Sequence, residues 1–312
     1  MSLEDEATFV GASVRDRGLA QMVEGVWAIR PEALGALFRQ AVALPEVGIF
    51  RPPRDLIQAG LFRQGMIIPL ALGERYMPQA VGPGNAAQAV KRGAGAPQQA
   101  IAVLPVHGPI SQHEDLFTML FGGVSTEWLG AQMQALAADP RVGAIVLDVD
   151  SPGGIVYGVE ELAEQIRALR GSKPIISVAN SVAASAAYYI AAQADQVVVT
   201  PSGEVGSIGV FVLHGDMSGM LAQMGVKATF IQFGENKTLG NPFEPLSERA
   251  KAELQAKVDL YGRQFVRDVA LGRNVSEKRV MEDFGQGLMF GAQDAVRLGL
   301  ADRVGTLGDV LA

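Results

Sequence analysis

Among the side chains able to do chemistry, one serine stands out by its surroundings. Ser185 lies in the segment Asn180 to Tyr189 (NSVAASAAYY), which follows an apolar run and opens a helix of small residues. A serine at a helix N-terminus is held rigidly in a positive local field that favours developing negative charge. Ser181 or Ser185 could equally act only as a helix cap. The segment therefore leaves two interpretations open, nucleophile and cap.

A serine nucleophile needs a base, and histidine is the usual one. The positions of His107, His113 and His214, at strand ends and in a polar loop, favour structural or surface roles. Lys237 lies in the polar stretch GENKTLGNPF, where a solvated lysine is the default interpretation. A lysine can act as the base where burial removes its proton, because desolvation lowers the pKa of an ammonium group. Ser–Lys pairs are a known variant of serine catalysis.

Two glycine motifs flank these candidates. The first, Asp148 to Gly154 (DVDSPGG), follows a predicted strand, and Gly153 and Gly154 let backbone N–H groups approach a ligand closely. Such a turn forms an oxyanion hole or a phosphate cradle, although alone it is more often an ordinary strand-to-helix turn. The second is Gly206 to Val210 (GSIGV), a strand entered through glycine. The chain lacks a G-x-S-x-G elbow, an H-E-x-x-H motif and a Walker-type phosphate loop.

Composition narrows the classes of function. The chain has 312 residues, 48% hydrophobic and 19% charged, which is typical of one large globular domain or one domain plus an appendage. A net charge of −7 argues against nucleic acid as the main partner. The absence of cysteine excludes thiol catalysis, disulfides and thiolate metal sites, and fits a reducing compartment. We expect no metal and no cofactor.

No segment of the sequence is apolar enough to span a bilayer. The best run, Met66 to Leu72 (MIIPLAL), is far shorter than the roughly 20 residues required. The first ten residues, MSLEDEATFV, are acidic where a secretory signal is basic and then apolar. We therefore expect a cytoplasmic protein without a transmembrane segment.

Short apolar runs alternate with helical patterns from Ala100 onward, which predicts an α/β fold with a mostly parallel, doubly covered sheet. The predicted strands are Ile101 to Val106, Ala144 to Val149, Pro174 to Ala179, Gln196 to Thr200, Ser207 to Leu213 and Ala228 to Phe233. The predicted helices are Val26 to Val42, Glu127 to Ala138, Val159 to Leu169, and a long one that Ser247 caps and that runs to Arg273. We expect an N-terminal region (1–99) with a helix and a flexible linker at 79–99, a main domain (100–305) and a C-terminal tail (306–312).

Taken together, the motifs resemble the signal peptide peptidase A family of Ser–Lys peptidases, which includes phage head maturation proteases. Its S-P-G-G turn, nucleophile segment, G-S-I-G-V strand and later lysine match Ser151 to Gly154, Ala183 to Tyr189, Gly206 to Val210 and Lys237, in this order. The resemblance covers roughly residues 100–305. In this chain Ala186 and Ala187 replace the glycines that often follow the nucleophile.

The resemblance implies a fold similar to the Clp protease subunit and the crotonases, with stacked β-β-α units, and assembly into a homo-oligomer. It makes Ser185 the nucleophile, Lys237 the general base and Ser207 the residue that orients the lysine. It assigns the oxyanion hole to backbone N–H groups at Gly153, Gly154 and Ala186. Expected substrates are polypeptides, with capsid or scaffold proteins as one class, acted on in the host cytoplasm or in the virion if the chain is phage-encoded.

Two other interpretations stay open. A crotonase-like enzyme acting on acyl-CoA thioesters shares the scaffold and the glycine-built oxyanion hole, but it normally places carboxylates over the thioester. A catalytically silent capsid-assembly protein would use the fold only for interactions. The presence of both Ser185 and Lys237 favours the peptidase, because packing alone does not require the pair.

Overall fold

The computed structural model describes residues 26–29, 33, 49–50, 68–69, 100–114 and 122–312. Its strands are β1 (Val26–Ile29), β2 (Ile49–Phe50), β3 (Ile68–Pro69), β4 (Ala100–His107), β5 (Ile110–Ser111), β6 (Val124–Ser125), β7 (Val142–Ser151), β8 (Gly153–Ile155), β9 (Ile175–Ala184), β10 (Gln196–Val199), β11 (Glu204–Gly206), β12 (Phe211–Val212), β13 (Met289–Gly291) and β14 (Arg303–Val304). Its helices are α1 (Thr126–Ala138), α2 (Val159–Leu169), α3 (Ala186–Ala191), α4 (Ser218–Gln223), α5 (Glu248–Arg273), α6 (Glu277–Asp283), α7 (Ala292–Leu298) and α8 (Leu307–Leu311).

The larger sheet is built around β9, which pairs in parallel with three strands. Its first half lies between β7 and β10, and its last residues pair with β11. β4 extends the sheet beyond β7, and β14 extends it beyond β10, both in parallel. Only β13, which pairs with β11, runs antiparallel in this sheet. The prediction of an α/β fold with a mostly parallel sheet is confirmed.

Both faces of this sheet are covered, as continuous apolar strands require. Along β7, Ile145 and Leu147 belong to the main core, whereas Val146 between them belongs to a smaller cluster, as the two-residue period of a strand dictates. The helix α2 buries Val159, Leu162, Ala163 and Ile166, the spacing of one apolar helical face. Each large aliphatic side chain buried in this way stabilises the fold by about 1.5–3 kcal/mol.

A second sheet carries the strand order β12-β1-β8-β5-β6. β1 lies between β12 and β8 and runs antiparallel to both. On the other side of β8, Gly154 pairs in parallel with Ile110 of β5. This sheet brings a segment from the start of the chain into contact with residues from its middle.

Most predicted elements are confirmed, some to the residue. α2 has the predicted bounds, and α5 begins after Ser247, whose side chain accepts a hydrogen bond from the Ala250 backbone N–H. The predicted strands beginning at Ile101, Ala144, Pro174 and Gln196 correspond to β4, β7, β9 and β10.

Two predicted strands and one predicted helix are wrong in whole or in part. Val26 to Ile29 form β1 and not the start of a helix, because the backbones of β8 and β12 offer hydrogen-bonding partners on both sides. The rest of that predicted helix, apart from residue 33, lies outside the described residues. Ala228 to Phe233 form no strand, since they lack a neighbouring ladder and Ile231 and Phe233 are fully exposed. The predicted strand Ser207 to Leu213 shortens to Phe211–Val212.

The end of the chain is ordered into α8. Thr306 caps this helix in a reciprocal capping box with Asp309, and Leu307 and Val310 pack against the smaller apolar cluster of the main sheet. Residues 307–311 thus cover a sheet face. The predicted boundaries at 99 and 305 stay predictions, and the predicted linker at 79–99 lies outside the described residues. None of the helices within the described ranges is both long and apolar enough to cross a membrane.

The last turns of α5 make a close contact that predicts a contrast between two glycines. A Cβ at Gly272 would clash with the carbonyl oxygen of Ala192 and lie 2.9 Å from Gln193 Oε1, whereas a Cβ at Gly262 would meet only Val210 Cγ2 at 3.8 Å. We expect Gly272→Ala to lower the free energy of unfolding by about 1–3 kcal/mol, because the backbone at Ala192 or in α5 must shift to make room. Gly262→Ala should instead raise it by about 0.5–1 kcal/mol through helix propensity. Urea unfolding of both variants measures the contrast, and equal effects would contradict the close contact.

Candidate active site

Ser185 lies at the junction between β9 and α3 in an unusual backbone conformation. Its φ is 54° and its ψ is −119°, a region that residues other than glycine rarely occupy. The turn is held from both sides, because the Ser185 N–H donates to the Gly206 carbonyl at 2.8 Å and the Tyr189 N–H donates to the Ser185 carbonyl at 2.8 Å. Strained residues of this kind cluster at functional sites, where the surroundings fix them.

The helix that follows Ser185 is anchored by two buried tyrosines. The Tyr188 hydroxyl donates to the Leu300 carbonyl at 2.9 Å, and burial raises the pKa of this phenol above its ordinary value. The Tyr189 hydroxyl donates to Asp268 Oδ2 at 2.5 Å, while its ring stacks on Phe265 with centroids 4.5 Å apart. Burial, reinforced by the bond to Asp268, raises the pKa of Tyr189 as well. Both phenols stay neutral donors at ordinary pH and keep α3 in place.

Gly153 packs directly against the Ser185 turn. Its φ is 98°, and a Cβ built there would lie 2.9 Å from the Ala184 carbonyl oxygen and 3.0 Å from Ser185 Cβ, and would clash with the Ala28 carbonyl oxygen. Gly154 is equally confined, since its Cβ would overlap the backbone of Ile110. Both positions therefore require glycine, and the structure brings the predicted Gly153 beside the predicted nucleophile.

The N–H groups near Ser185 differ in whether they are already bonded. The Gly153 N–H donates to Ser151 Oγ at 3.2 Å, and the Ser151 hydroxyl donates to the Gly108 carbonyl at 2.6 Å. Ala186 is the first residue of α3, where backbone N–H groups have no intrahelical acceptor, and the Ser185 side chain does not cap them. A free N–H beside a buried serine is the arrangement that can receive an oxyanion.

The serine that the resemblance places next to the lysine also has a strained backbone. Ser207 has a φ of 56°, is buried, and donates its N–H to the Leu288 carbonyl at 2.7 Å. Its hydroxyl has no hydrogen-bond partner within the described part of the chain. The nearest acceptor of Ser185 Oγ is the Gly209 carbonyl, at a long 3.4 Å. Both hydroxyls are therefore left available for other partners.

Lys237 is not joined to these serines. It lies in a turn between Gly234 and Gly240, its N–H donates to the Gly234 carbonyl, and its side chain is exposed. Within residues 100–114 and 122–312, the Lys237 ammonium makes no hydrogen bond or ion pair. The structure thus brings together Ser185, Ala186, Gly153 and Gly154, whereas the Lys237 side chain is exposed and bonded to none of them.

No histidine is bonded to the serine within the described residues. His107 Nε2 lies 3.2 Å from Asp148 Oδ2, and His113 Nδ1 lies 2.9 Å from Glu127 Oε1. Nε2 of His214 is buried without a partner among the described residues. None of the three is hydrogen-bonded to Ser185. Within the described residues, no group of three or more His, Asp or Glu side chains is arranged to hold a metal ion.

Two features of the site had no clear signal in the sequence. Ser151, which bonds both the Gly108 carbonyl and the Gly153 N–H, was visible only as part of a glycine turn. β1 lies against Gly153 although it is remote in the chain, and no local pattern could indicate that pairing. Only a search for short apolar segments able to pair with an existing sheet edge could have identified β1 as a strand beside Gly153.

Comparison with known proteins places the chain among peptidases. Residues 167–312 match the model of peptidase family S49. Capsid assembly protease C of Escherichia phage lambda is 32% identical over 65% of this chain and 46% of its own, so the chain spans less than half of that protein. A putative protease of Synechocystis sp. is 30% identical over 60% of this chain and 68% of its own. A variant of ClpP1 from Listeria monocytogenes aligns with a TM-score of 0.42 and 14% identity over 67% of this chain and 94% of its own.

The strained turn predicts how Ser185 responds to substitution. Glycine adopts a positive φ freely, whereas alanine keeps the strain, which costs on the order of 1–3 kcal/mol. Ser177, buried in the extended part of β9, provides the matched control. At each position we compare the free energy of unfolding of the glycine variant with that of the alanine variant. We expect this difference, glycine minus alanine, to be about 1–3 kcal/mol more positive at position 185 than at position 177. Denaturant unfolding of the four variants measures this, and an equal difference at both positions would show that the turn is unstrained.

Proposed function

The chain belongs to peptidase family S49, and we propose that it is a serine endopeptidase with Ser185 as its nucleophile and Lys237 as its general base. The observation that carries the proposal is the Ser185 turn. A serine that only capped α3 would accept a hydrogen bond from the first turn of the helix, and Ser185 does not. Instead it sits strained and buried beside Gly153, with its hydroxyl weakly bonded.

In the proposed mechanism, neutral Lys237 takes the proton from Ser185 as its oxygen attacks the peptide carbonyl. The Ala186 N–H, which has no partner among the described residues, is the first proposed donor to the oxyanion, and the Gly154 N–H is the second. The Gly153 N–H would join them by releasing Ser151 Oγ. The protonated lysine then gives its proton to the leaving amine, and water releases the acyl group from Ser185. The Ser207 hydroxyl, which has no partner within the described residues, is the proposed acceptor that orients the lysine ammonium.

The exposed position of Lys237 supports a site completed by a second copy of the chain. An ammonium group acts as a base only where it is taken out of water, and Lys237 in one chain is exposed. The segment around it, residues 213–243, also leaves many apolar side chains in water. They are Leu213, Met217, Met220, Met224, Val226, Phe230, Ile231, Phe233 and Phe243.

A patch of this kind marks a contact surface. We propose that the segment 213–243 packs on a neighbouring subunit and delivers Lys237 to that subunit's Ser185. Burial of the apolar side chains and removal of the lysine from water would then occur in the same step. The homo-oligomer that the family resemblance implies would thereby become a condition for activity.

The proposed substrates are polypeptides. Similarity to a capsid assembly protease supports a phage or prophage role, with capsid or scaffold proteins cut during head assembly in the host cytoplasm or in the virion. A soluble peptidase related to the signal peptide peptidases is the alternative within the same chemistry. The crotonase-like and silent-assembly interpretations have no observation of their own at the site.

The dyad is tested by mass-spectrometric detection of cleavage of an unfolded protein. We expect Ser185→Ala, Lys237→Ala and Lys237→Arg each to lose cleavage by about a hundredfold or more, because an arginine keeps the charge but cannot give up a proton. Lys227→Ala, which removes another exposed lysine of the same segment, is the matched control and should retain cleavage. The rate should rise with pH as the base loses its proton. Cleavage that survives in Lys237→Arg, or a flat profile from about pH 6 to 10, would refute the lysine base.

Mixing inactive variants tests whether the site is shared between subunits. Ser185→Ala and Lys237→Ala chains, each inactive alone, should regain about a quarter of the wild-type activity when co-assembled in equal amounts. Half of the chains then supply an intact serine, and half of their neighbours supply an intact lysine. Size-exclusion chromatography confirms that the mixed particles form. Mixed particles without activity would place both residues of the dyad in the same chain.

A further inference from the structure

The strand β1 fills a slot between two other strands at the edge of the candidate site. Trp27 pairs with Phe211 of β12 on one side and with Ile155 of β8 on the other, both antiparallel. Trp27, Ala28 and Ile29 are buried. Neighbouring strands lie about 4.7–4.9 Å apart, so β8 and β12 stand apart by the width of one extended peptide. Without β1, the facing edges of β8 and β12 would carry backbone N–H and C=O groups without strand partners.

This slot passes directly beside the nucleophile. The Ala28 carbonyl oxygen and Ser185 Cβ both lie around the position that a Cβ of Gly153 would occupy. An extended peptide that pairs with β8 therefore brings one of its carbonyl groups next to Ser185, which is what a peptidase requires of its substrate. In this structure the carbonyl in that position belongs to Ala28.

Ser185 itself has no exposed surface. A nucleophile without exposed surface meets a substrate only after a covering element moves away. β1 is held in the slot by strand pairing on both edges and by burial of Trp27, Ala28 and Ile29. Residues 26–29 therefore hold the position that an incoming peptide needs.

The fit of β1 in the slot is incomplete at Ala28. This residue lines a cavity of about 180 Å³ whose walls are mixed, with Val159, Val210 and Phe265 beside Glu160, Glu161 and Gln264. An alanine leaves that volume unfilled, and each unmade contact weakens the hold of the strand. A peptide with a larger side chain in the same register would fill the cavity and bind the slot more tightly than β1 does.

We propose that the slot between β8 and β12 binds the substrate backbone, and that β1 is an intramolecular competitor which substrate must displace. The proposal rests on the peptidase function proposed above. It identifies the substrate as an extended peptide with a side chain larger than alanine at the position of Ala28. Occupancy of the slot by β1 reduces the apparent affinity for substrate in proportion to the time the slot is filled.

A disulfide between β1 and β12 tests the proposal in the full-length chain. Val26 and Val212 are opposite each other in antiparallel register, where Cα atoms lie about 4.5–5.5 Å apart, a separation that a disulfide bridges. The chain has no cysteine, so a Val26→Cys/Val212→Cys variant forms only the intended link. Glu204→Cys/Gly291→Cys, opposite each other on β11 and β13, is the matched control outside the slot.

We expect oxidation to lower cleavage by the β1–β12 variant by roughly tenfold or more and reduction to restore it, because the link holds the competitor in place. Oxidation should leave the control pair unaffected. Equal cleavage by the oxidised and reduced β1–β12 forms would overturn the inference. A chain that cleaves in no form, with or without substitutions, would instead contradict the proposed function and the inference with it.

Two single substitutions provide a second test of the proposal that needs no disulfide. Ala28→Leu should raise KM severalfold by filling the cavity and tightening β1, and Trp27→Ala should lower KM by loosening it, with little change in kcat. Thermal unfolding shows whether each variant is folded. Opposite shifts in KM support competition, whereas a KM that stays constant in folded Ala28→Leu would show that β1 does not block substrate.

Discussion

The candidate site depends on the contact between Gly153 and the Ser185 turn. A side chain at position 153 would collide with backbone on two sides, and the backbone of Ser185 adopts a conformation that few residues tolerate. The larger sheet fixes the end of β9, Gly206 holds the Ser185 N–H, and two buried tyrosines anchor α3. Together these contacts keep the Ser185 hydroxyl, the Ala186 N–H at the start of α3 and the backbone of Gly153 close to one another.

The sequence predicted those parts of the molecule that depend on local pattern. The bounds of α2 and α5, the buried parallel strands and the position of Ser185 at a strand-to-helix junction follow from apolar periodicity, capping and small-residue composition. Gly153 and Gly154 were also identifiable, because close backbone approach leaves glycine as the residue that fits. The family resemblance added roles for Ser185, Ser207 and Lys237 that spacing alone could not assign.

What the sequence did not predict depends on contacts between distant segments. The apolar residues after Val26 fit a helix or a strand, and only the ladders of β8 and β12 decide between them. The stretch Ala228 to Phe233 has the composition of a strand, but no strand within the described ranges pairs with it, and Phe230, Ile231 and Phe233 stay in water. In the proposed homo-oligomer, burial of that stretch and of Lys237 near it would be a property of the assembly and not of one chain.

The position of β1 also sets the order in which the molecule can mature. Its partners at Gly153 to Ile155 and at Phe211 to Val212 are made long after residues 26–29 leave the ribosome, so the N-terminal strand must wait for them. Pairings between residues so far apart in sequence form late, because the loop between them must first close. The second sheet is therefore completed only when much of the first is in place.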